Sequence, residues 1–189
     1  MAPGEEQKMT PKVYGITLVP RRLYNLILVG LVAFIINLLC INGIREDTVA
    51  NRVNNIYGSP NVECVVEAVY FEARGEPVEG WKAATEVIVN RSKMDRYPNT
   101  LCEVVHQNKQ FSYRNGKTKE QLKYDDPMKV HQIAQTVYQH LYDLEKNPKK
   151  RVLPDCVSHY DGKAFKKPYW AKKMKMVKEV GAHQFYCKL

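Results

Sequence analysis

Residues 23–41 (LYNLILVGLVAFIINLLCI) are nineteen positions without a charged side chain, and this run constrains the chain more than any other feature. A bilayer core of about 30 Å takes about 20 apolar residues in helical form, so the segment is long enough to span one. A buried core helix of that length would carry a regular polar stripe, whereas Asn25 and Asn37 form none. Lys8, Lys12, Arg21 and Arg22 precede the run, and only Arg45 and Arg52 follow within a similar distance. The positive-inside rule then puts residues 1–22 in the cytoplasm as a short tail and everything after Asn42 outside. A cleaved signal peptide is the rival reading. It would have an apolar region of ~7–15 residues ending in small residues of A-x-A type. Leu38, Leu39, Cys40 and Ile41 offer no such site, and Cys40 lacks the small residue before it that a lipoprotein anchor needs. The expectation is a retained signal anchor with the rest of the chain on the periplasmic or extracytoplasmic side.

Residues 42–59, rich in Asn and other polar groups, read as a linker that stretches to at most roughly 60 Å. Residues 60–189 make one domain. Ser59 is the expected cap of a first helix with Pro60 at its first position. Val62, Val65, Val66 and Val69 form its apolar stripe, and Gly75 closes it. A second helix runs over about 77–94, with Ala83, Ala84, Val87 and Ile88 inward. Thr100 and Glu103 read as a capping box for a short third helix. A fourth helix opens at Asp126-Pro127, repeats Val130, Ile133, Ala134, Val137, Leu141 and Leu144, and stops at Asn147-Pro148. Segments 156–160, 174–180 and 183–187 read as strands, the last two a hairpin through Gly181-Ala182. The fold class is α+β, mostly helical, with a small antiparallel sheet near the C-terminus.

The formal charge is +9, and residues 145–178 hold 11 basic against 3 acidic side chains, so that stretch alone carries +8. Such a surplus suits an anionic partner. It matches no zinc-finger, RRM or helix-turn-helix pattern, and the anchor places it outside the cell, so nucleic acid is excluded as a partner. A solvated basic face is the plain alternative. Cys64, Cys102, Cys156 and Cys187 all follow the anchor; an even number there permits two disulfides with three possible connectivities, or free buried thiols. Their spacing gives no Cys-x-x-Cys zinc pattern.

Glu72 is the residue out of place. It lies three positions after Val69 and seven after Val65, so at ~100° per residue it continues the apolar stripe, whereas Glu63 and Glu67 point away and read as solvated charges. Desolvation and the negative end of the helix dipole both press a carboxylate there towards its neutral form. A carboxylic acid kept protonated near neutrality is what a general acid needs. An ion pair with Arg74 or a lysine at the rim of a core is the structural alternative.

Tyr-Phe-Glu-Ala-Arg-Gly-Glu-Pro at 70–77, Val-Glu-Gly at 78–80 and Val-Asn-Arg at 89–91 resemble the signature of the SleB-type cell-wall hydrolases, the spore-cortex-lytic enzyme family. So do Tyr-Pro-Asn-Thr-Leu-Cys-Glu-Val-Val at 97–105, Gln-Phe-Ser at 110–112, Ser-His-Tyr at 158–160, Pro-Tyr-Trp at 168–170 and Gly-Ala-His-Gln-Phe-Tyr at 181–186. The blocks keep the family's order. The resemblance implies a lysozyme/transglycosylase-like catalytic domain that cleaves peptidoglycan glycan strands between N-acetylmuramic acid and N-acetylglucosamine, with Glu72 as its single catalytic glutamate. Many relatives carry Cys where this chain has Lys109, so Cys102, if bridged, pairs elsewhere. No separate peptidoglycan-binding repeat is visible.

Candidate substrate-binding residues are Glu76, Gln110, Phe111, Ser112, His159, Tyr160, Trp170 and His183. Gln110, Phe111 and Ser112 stand at a loop suited to sugar hydroxyls and amides, and Trp170 and Tyr169 to sugar faces. Loop packing, core packing or, for Glu76, orienting Arg74 or capping the second helix are their structural alternatives; His106, His131 and His140 read as structural. No Asp/Glu set at metal-ligand spacing is present, so no metal or organic cofactor is expected, nor an obligate protein partner. An ordinary glycosidase uses two carboxylates. One persuasive candidate points to a lytic transglycosylase, in which the muramic C6 hydroxyl attacks C1 and leaves a 1,6-anhydro end. Hydrolysis by water is the runner-up, and an inactive membrane-tethered wall-binding module the alternative of another class.

Overall fold

The computed structural model describes residues 21–163 and 166–188, so most of the expected cytoplasmic tail lies outside the described residues. The chain divides into two units, Met1–Ile44 and Arg45–Leu189. In the first, residues 24–41 are helical with every side chain exposed. Among the described residues, the helix that holds them is the one long and apolar enough to cross a membrane.

That helix, α1 (Arg21–Tyr57), does not end with the apolar run, and residues 42–59 are therefore not the extensible linker their composition implied. Val49, Val53 and Tyr57 recur every fourth residue, a single apolar line within an Asn-rich background. Val53 is fully buried, and Val49 and Tyr57 pack on the same cluster. Tyr57 donates to Glu145 at 2.6 Å and Tyr138 to Asn54 at 3.1 Å, so the last turns of α1 are fastened to the domain.

Gly58, at φ 80°, breaks α1 and is the N-cap of α2 (Ser59–Ala73); Ser59 is inside the helix rather than its cap. α3 (Val78–Ser92) follows Pro77. In α4 (Leu101–His106) half of the expected box forms: Thr100 Oγ1 accepts from Glu103 N at 3.3 Å, while the Glu103 carboxylate accepts from the Thr100 hydroxyl at 2.7 Å rather than from its backbone N–H. α5 (Pro127–Lys146) is capped by Asp126, which accepts from Lys129 N at 2.9 Å. β1 (Val157–Gly162), β2 (Met174–Val180) and β3 (His183–Lys188) form an antiparallel sheet of order β1-β3-β2, with a register shift in each pairing.

Two apolar clusters meet at α3. The larger joins α2, α4 and α5 through Tyr70, Ile88, Val104, Ile133 and Leu141. The smaller lies under the sheet, where Ala83 and Val87 face Val157, Val180 and Phe185. Glu86, fully buried, bridges elements without apolar contact: it accepts from His140 Nε2 at 2.7 Å, Val152 N at 2.7 Å and Leu153 N at 2.8 Å. Of the three open connectivities, the chain uses Cys64–Cys102, joining α2 to α4, and Cys156–Cys187, tying the start of β1 to β3. Loops of 38 and 31 residues make each worth about 3–4 kcal/mol in the chain-entropy account.

The packing of α1 gives a direct test. Val53→Ala should cost about 2 kcal/mol in chemical denaturation, the cost of a small buried cavity. Ile56→Ala, at a 47% exposed neighbour, should cost little. Equal, negligible effects at both positions would return residues 45–57 to a linker.

Candidate active site

Glu72 stands in the last turn of α2, half-buried. Its Oε2 accepts one long hydrogen bond, 3.5 Å from the Tyr160 hydroxyl on β1. Loss of hydration raises its pKa above the usual glutamate value; the Tyr160 bond and the Arg91 charge pull the other way and do not cancel it. Three more glutamates are buried or half-buried among the described residues, and each has firm partners. Glu67 pairs with Arg114 at 2.6 Å, Glu86 holds His140, and Glu76 accepts from Ala182 N at 2.7 Å. Glu72 alone is left with a single long hydrogen bond.

Arg91 is the other pole. It is buried, donates from Nε to Ser158 O at 2.8 Å, and lies over the rings of Tyr97 (5.4 Å) and Phe111 (5.6 Å). Its Nη1 is buried without a protein partner. Burial lowers the guanidinium pKa, and the nearby Tyr97, Tyr160 and Glu72 raise it. Sequence reading singled out Glu72 and passed over Arg91, although the same signal marks both. Arg91 falls three residues after Ile88 and seven after Ala84, on the inner stripe of α3.

Tyr160 is held by the edge of His183 (5.2 Å) and by Phe185 (5.6 Å), and its hydroxyl pKa is raised by burial and by Glu72. His183 in turn faces Glu76, Nδ1 to Oε1 at 3.8 Å, with a pKa lowered chiefly by burial. Glu76 is a fixture of the scaffold rather than a free group. Its Oε2 binds Ala182 N in the β2–β3 turn, where Gly181 has φ 56° and a Cβ would meet that oxygen at 1.8 Å. Gly80 is equally close, a Cβ there lying 2.7 Å from Glu76 Cβ. One carboxylate thus joins the α2–α3 connection to the hairpin that carries His183.

The remaining candidates part company. Phe111 is buried beneath Arg91, and Ser112 is exposed at the start of a 3-10 turn (Ser112–Arg114). Gln110, His159 and Trp170 line a separate groove of about 430 Å³ with Arg96, Tyr97 and Lys173. His159, beside Trp170 at 5.0 Å, has its pKa lowered to about 4 by burial and then by Arg91, Arg96 and Lys188, so it is neutral near pH 7.

Glu67 corrects the sequence reading. It is 4% exposed, not solvated, because the loop after α4 folds over that side of α2. Arg114 and Tyr113 from that loop both donate to it, at 2.6 and 3.0 Å, and Tyr113 stacks on Phe71 at 4.8 Å. A cavity of about 590 Å³ opens on this flank among Glu63, Cys64, His106, Lys119 and Tyr124, and Glu72 is not part of its lining. One set among the described residues could hold a metal, Cys64, Cys102 and His106 with ligand atoms within 4.8 Å, but both sulfurs are committed to the disulfide.

A family model described as Cell Wall Hydrolase matches residues 75–186, starting three residues past Glu72. The spore cortex-lytic enzyme of Bacillus subtilis is 36% identical over 61 residues, 32% of this chain and 20% of that protein. The spore cortex-lytic enzyme of Oceanobacillus iheyensis is 36% identical over 70 residues, 35% and 25% of the two chains. The chain therefore spans a fifth to a quarter of the curated relatives it matches. Among solved structures, the catalytic domain of the Bacillus cereus SleB protein aligns with TM-score 0.54 at 22% identity, over 70% of this chain and 92% of that one. The catalytic domain of a germination-specific lytic transglycosylase, SleB from Bacillus anthracis, gives 0.53 at 22%, over 70% and 97%. These likenesses show the mostly helical fold with its small terminal sheet.

Gly181→Ala should destabilise by about 2 kcal/mol or more, since it forces a side chain into positive φ and against the Glu76 carboxylate. Gly75→Ala, where an added Cβ meets nothing within 4 Å, should be neutral or slightly stabilising. Parallel urea titrations compare them; equal effects would remove Glu76 as the hairpin's anchor.

Proposed function

Because the chain belongs to the cell wall hydrolase family, we propose that it cleaves peptidoglycan glycan strands between N-acetylmuramic acid and N-acetylglucosamine, with Glu72 as the one proton-transferring group. The observation that carries this reading is the contrast among the buried and half-buried glutamates of the described residues: three are tied to close partners, while Glu72 has one long bond from Tyr160 and a raised pKa.

Protonated Glu72 gives its proton to the leaving glycosidic oxygen, the C1–O bond breaks, and positive charge develops at C1. The carboxylate so formed is stabilised by Arg91 and by the Tyr160 hydroxyl, the same groups that already temper its pKa. It then takes the proton of the muramic C6 hydroxyl as that oxygen closes on C1, aided by the substrate's acetamido group. The product is a 1,6-anhydro end, no water is consumed, and Glu72 is returned protonated. Among the described residues the groups that act on Glu72 are Tyr160 and Arg91 and not a second carboxylate, which favours this course over the two-carboxylate hydrolysis of ordinary glycosidases. Tyr160 and His183 shape the wall of the site, and we assign residues 23–41 as the anchor that holds the domain outside the membrane.

Glu72→Gln keeps the shape and removes the acid, so muropeptide release, read by mass spectrometry, should fall at least ~10²–10⁴-fold. Glu63→Gln, at an exposed position, should leave release nearly intact. Cleavage should decline as pH rises through the raised pKa of Glu72, because the protonated form is the active one. Stability has a matching sign: a raised folded-state pKa makes ionisation costly to the fold. Glu72→Gln should match the native chain well below the ordinary value of 4.5 and be the more stable above it. A folded Glu72→Gln with normal release would overturn the assignment.

The anchor is tested separately. The chain should stay in the membrane fraction at unprocessed length with its domain open to external protease. An N-terminus beginning after Cys40 would replace the anchor by a signal peptide.

A further inference from the structure

The groove that holds Gln110, His159 and Trp170 has a chemical character different from the Glu72 site. Its charged lining side chains are Arg96, Lys173 and Lys188, and no acidic side chain lines it among the described residues. Its floor is aromatic: Trp170 packs on His159 at 5.0 Å and edge-on against Tyr186 at 5.4 Å. Tyr169 is 73% exposed at the rim, with Lys173 Nζ 4.9 Å from its ring centre.

Arg96 is aimed rather than free. Its Nη2 donates to Ser158 Oγ at 2.8 Å and its guanidinium lies 5.2 Å over the Tyr97 ring. A guanidinium fixed in this way suits a planar carboxylate, which it meets with paired N–H donors. Tyr97 also connects the two sites, since the other cation on its ring is Arg91, the neighbour of Glu72. His159 is kept neutral by burial first, with the charges of Arg91, Arg96 and Lys188 acting in the same direction.

We propose that this groove binds the free carboxylates of the stem peptides that branch from the glycan, so that peptide-bearing strands are seated in preference to bare ones. The proposal rests on the reading of glycan cleavage above. In a peptide-bearing strand the muramic lactyl carboxyl is spent in the amide to the stem peptide, so the stem's free carboxylates are the strand's negative groups, while its apolar sugar faces suit Trp170 and Tyr169. Lys173 and Lys188 supply long-range attraction that salt screens, and Arg96 supplies the directional contact.

The test separates binding from turnover. The full chain carrying Glu72→Gln is titrated calorimetrically with a soluble disaccharide-tetrapeptide, with the same molecule after its carboxylates are amidated, and with the peptide-free disaccharide. The first should bind at least 10-fold more tightly than either of the others, and the difference should shrink as salt rises. Adding Lys173→Gln and Lys188→Gln, both at exposed positions, should remove most of the difference, whereas Lys149→Gln outside the groove should not. In the active chain the same pair should raise KM for peptide-bearing strands about 5- to 10-fold, with kcat unchanged and no effect on peptide-free glycan. Equal binding of the three probes, survival of the difference in the double variant, or equally good competition by a glycerol phosphate polymer would overturn the proposal. If the muropeptide binds as expected and the native chain releases no muropeptides, the groove stands and the catalytic reading fails.

Discussion

A helix in which Val62, Val65, Glu67, Ala68, Val69, Tyr70 and Ala73 are all buried has almost no solvent face on which a charge is harmless. α2 is covered by α5 and α4, by α3, and by the loop that carries Tyr113 and Arg114, and each carboxylate on its covered part must be paired or must give up its charge. Glu67 takes the first course. Its pair with Arg114 is a fixture whose value lies less in net stability than in the several kcal/mol lost if one partner is left alone in the interior. Glu72 is pressed towards the second, since loss of hydration raises its pKa. The burial that builds the domain's core thus also shifts this carboxyl, and the sheet brings Tyr160 over the same helix end.

That division explains what was legible in the sequence. Glu72 and Arg91 announce themselves by local period, because the stripe they extend is set by residues within two turns. The cap at Thr100, the Asp126-Pro127 start of α5 and the Gly181-Ala182 turn are equally local. Glu67 and Val53 were not legible. Their burial comes from segments far along the chain: Arg114 lies 47 residues from Glu67, and the Tyr57–Glu145 bond that helps seat the end of α1 spans 88. A short apolar line every fourth residue inside an Asn-rich stretch looks like a linker until a partner surface exists. The tie of Glu76 was hidden for a related reason, since its partner is the backbone of a hairpin 106 residues away.

The basic run at 145–178 also changes meaning when folded. Lys150 meets Asp143, Arg151 meets Asp155, Lys163 meets Glu179 and Lys178 meets Glu79, so a good part of the linear surplus is matched by acids from elsewhere. Lys173 is not among those pairs; with Arg96 and with Lys188 beyond the run, it lines one groove. A net charge counted along a sequence says little about where a field is felt; the sheet decides that by bringing residue 188 next to residue 174.

The two disulfides, Cys64–Cys102 and Cys156–Cys187, are neither nested nor interleaved. Each closes between cysteines that are consecutive in the domain, so pairing the thiols in the order in which they leave a ribosome or a translocation channel already gives the native set. No scrambled bridge has to be opened and no isomerase is needed to sort partners. The first loop, holding α2 to α4, is complete before the second pair has been made. A chain laid out this way suits one-pass assembly, with its α2–α4 staple fastened while the sheet is still to come.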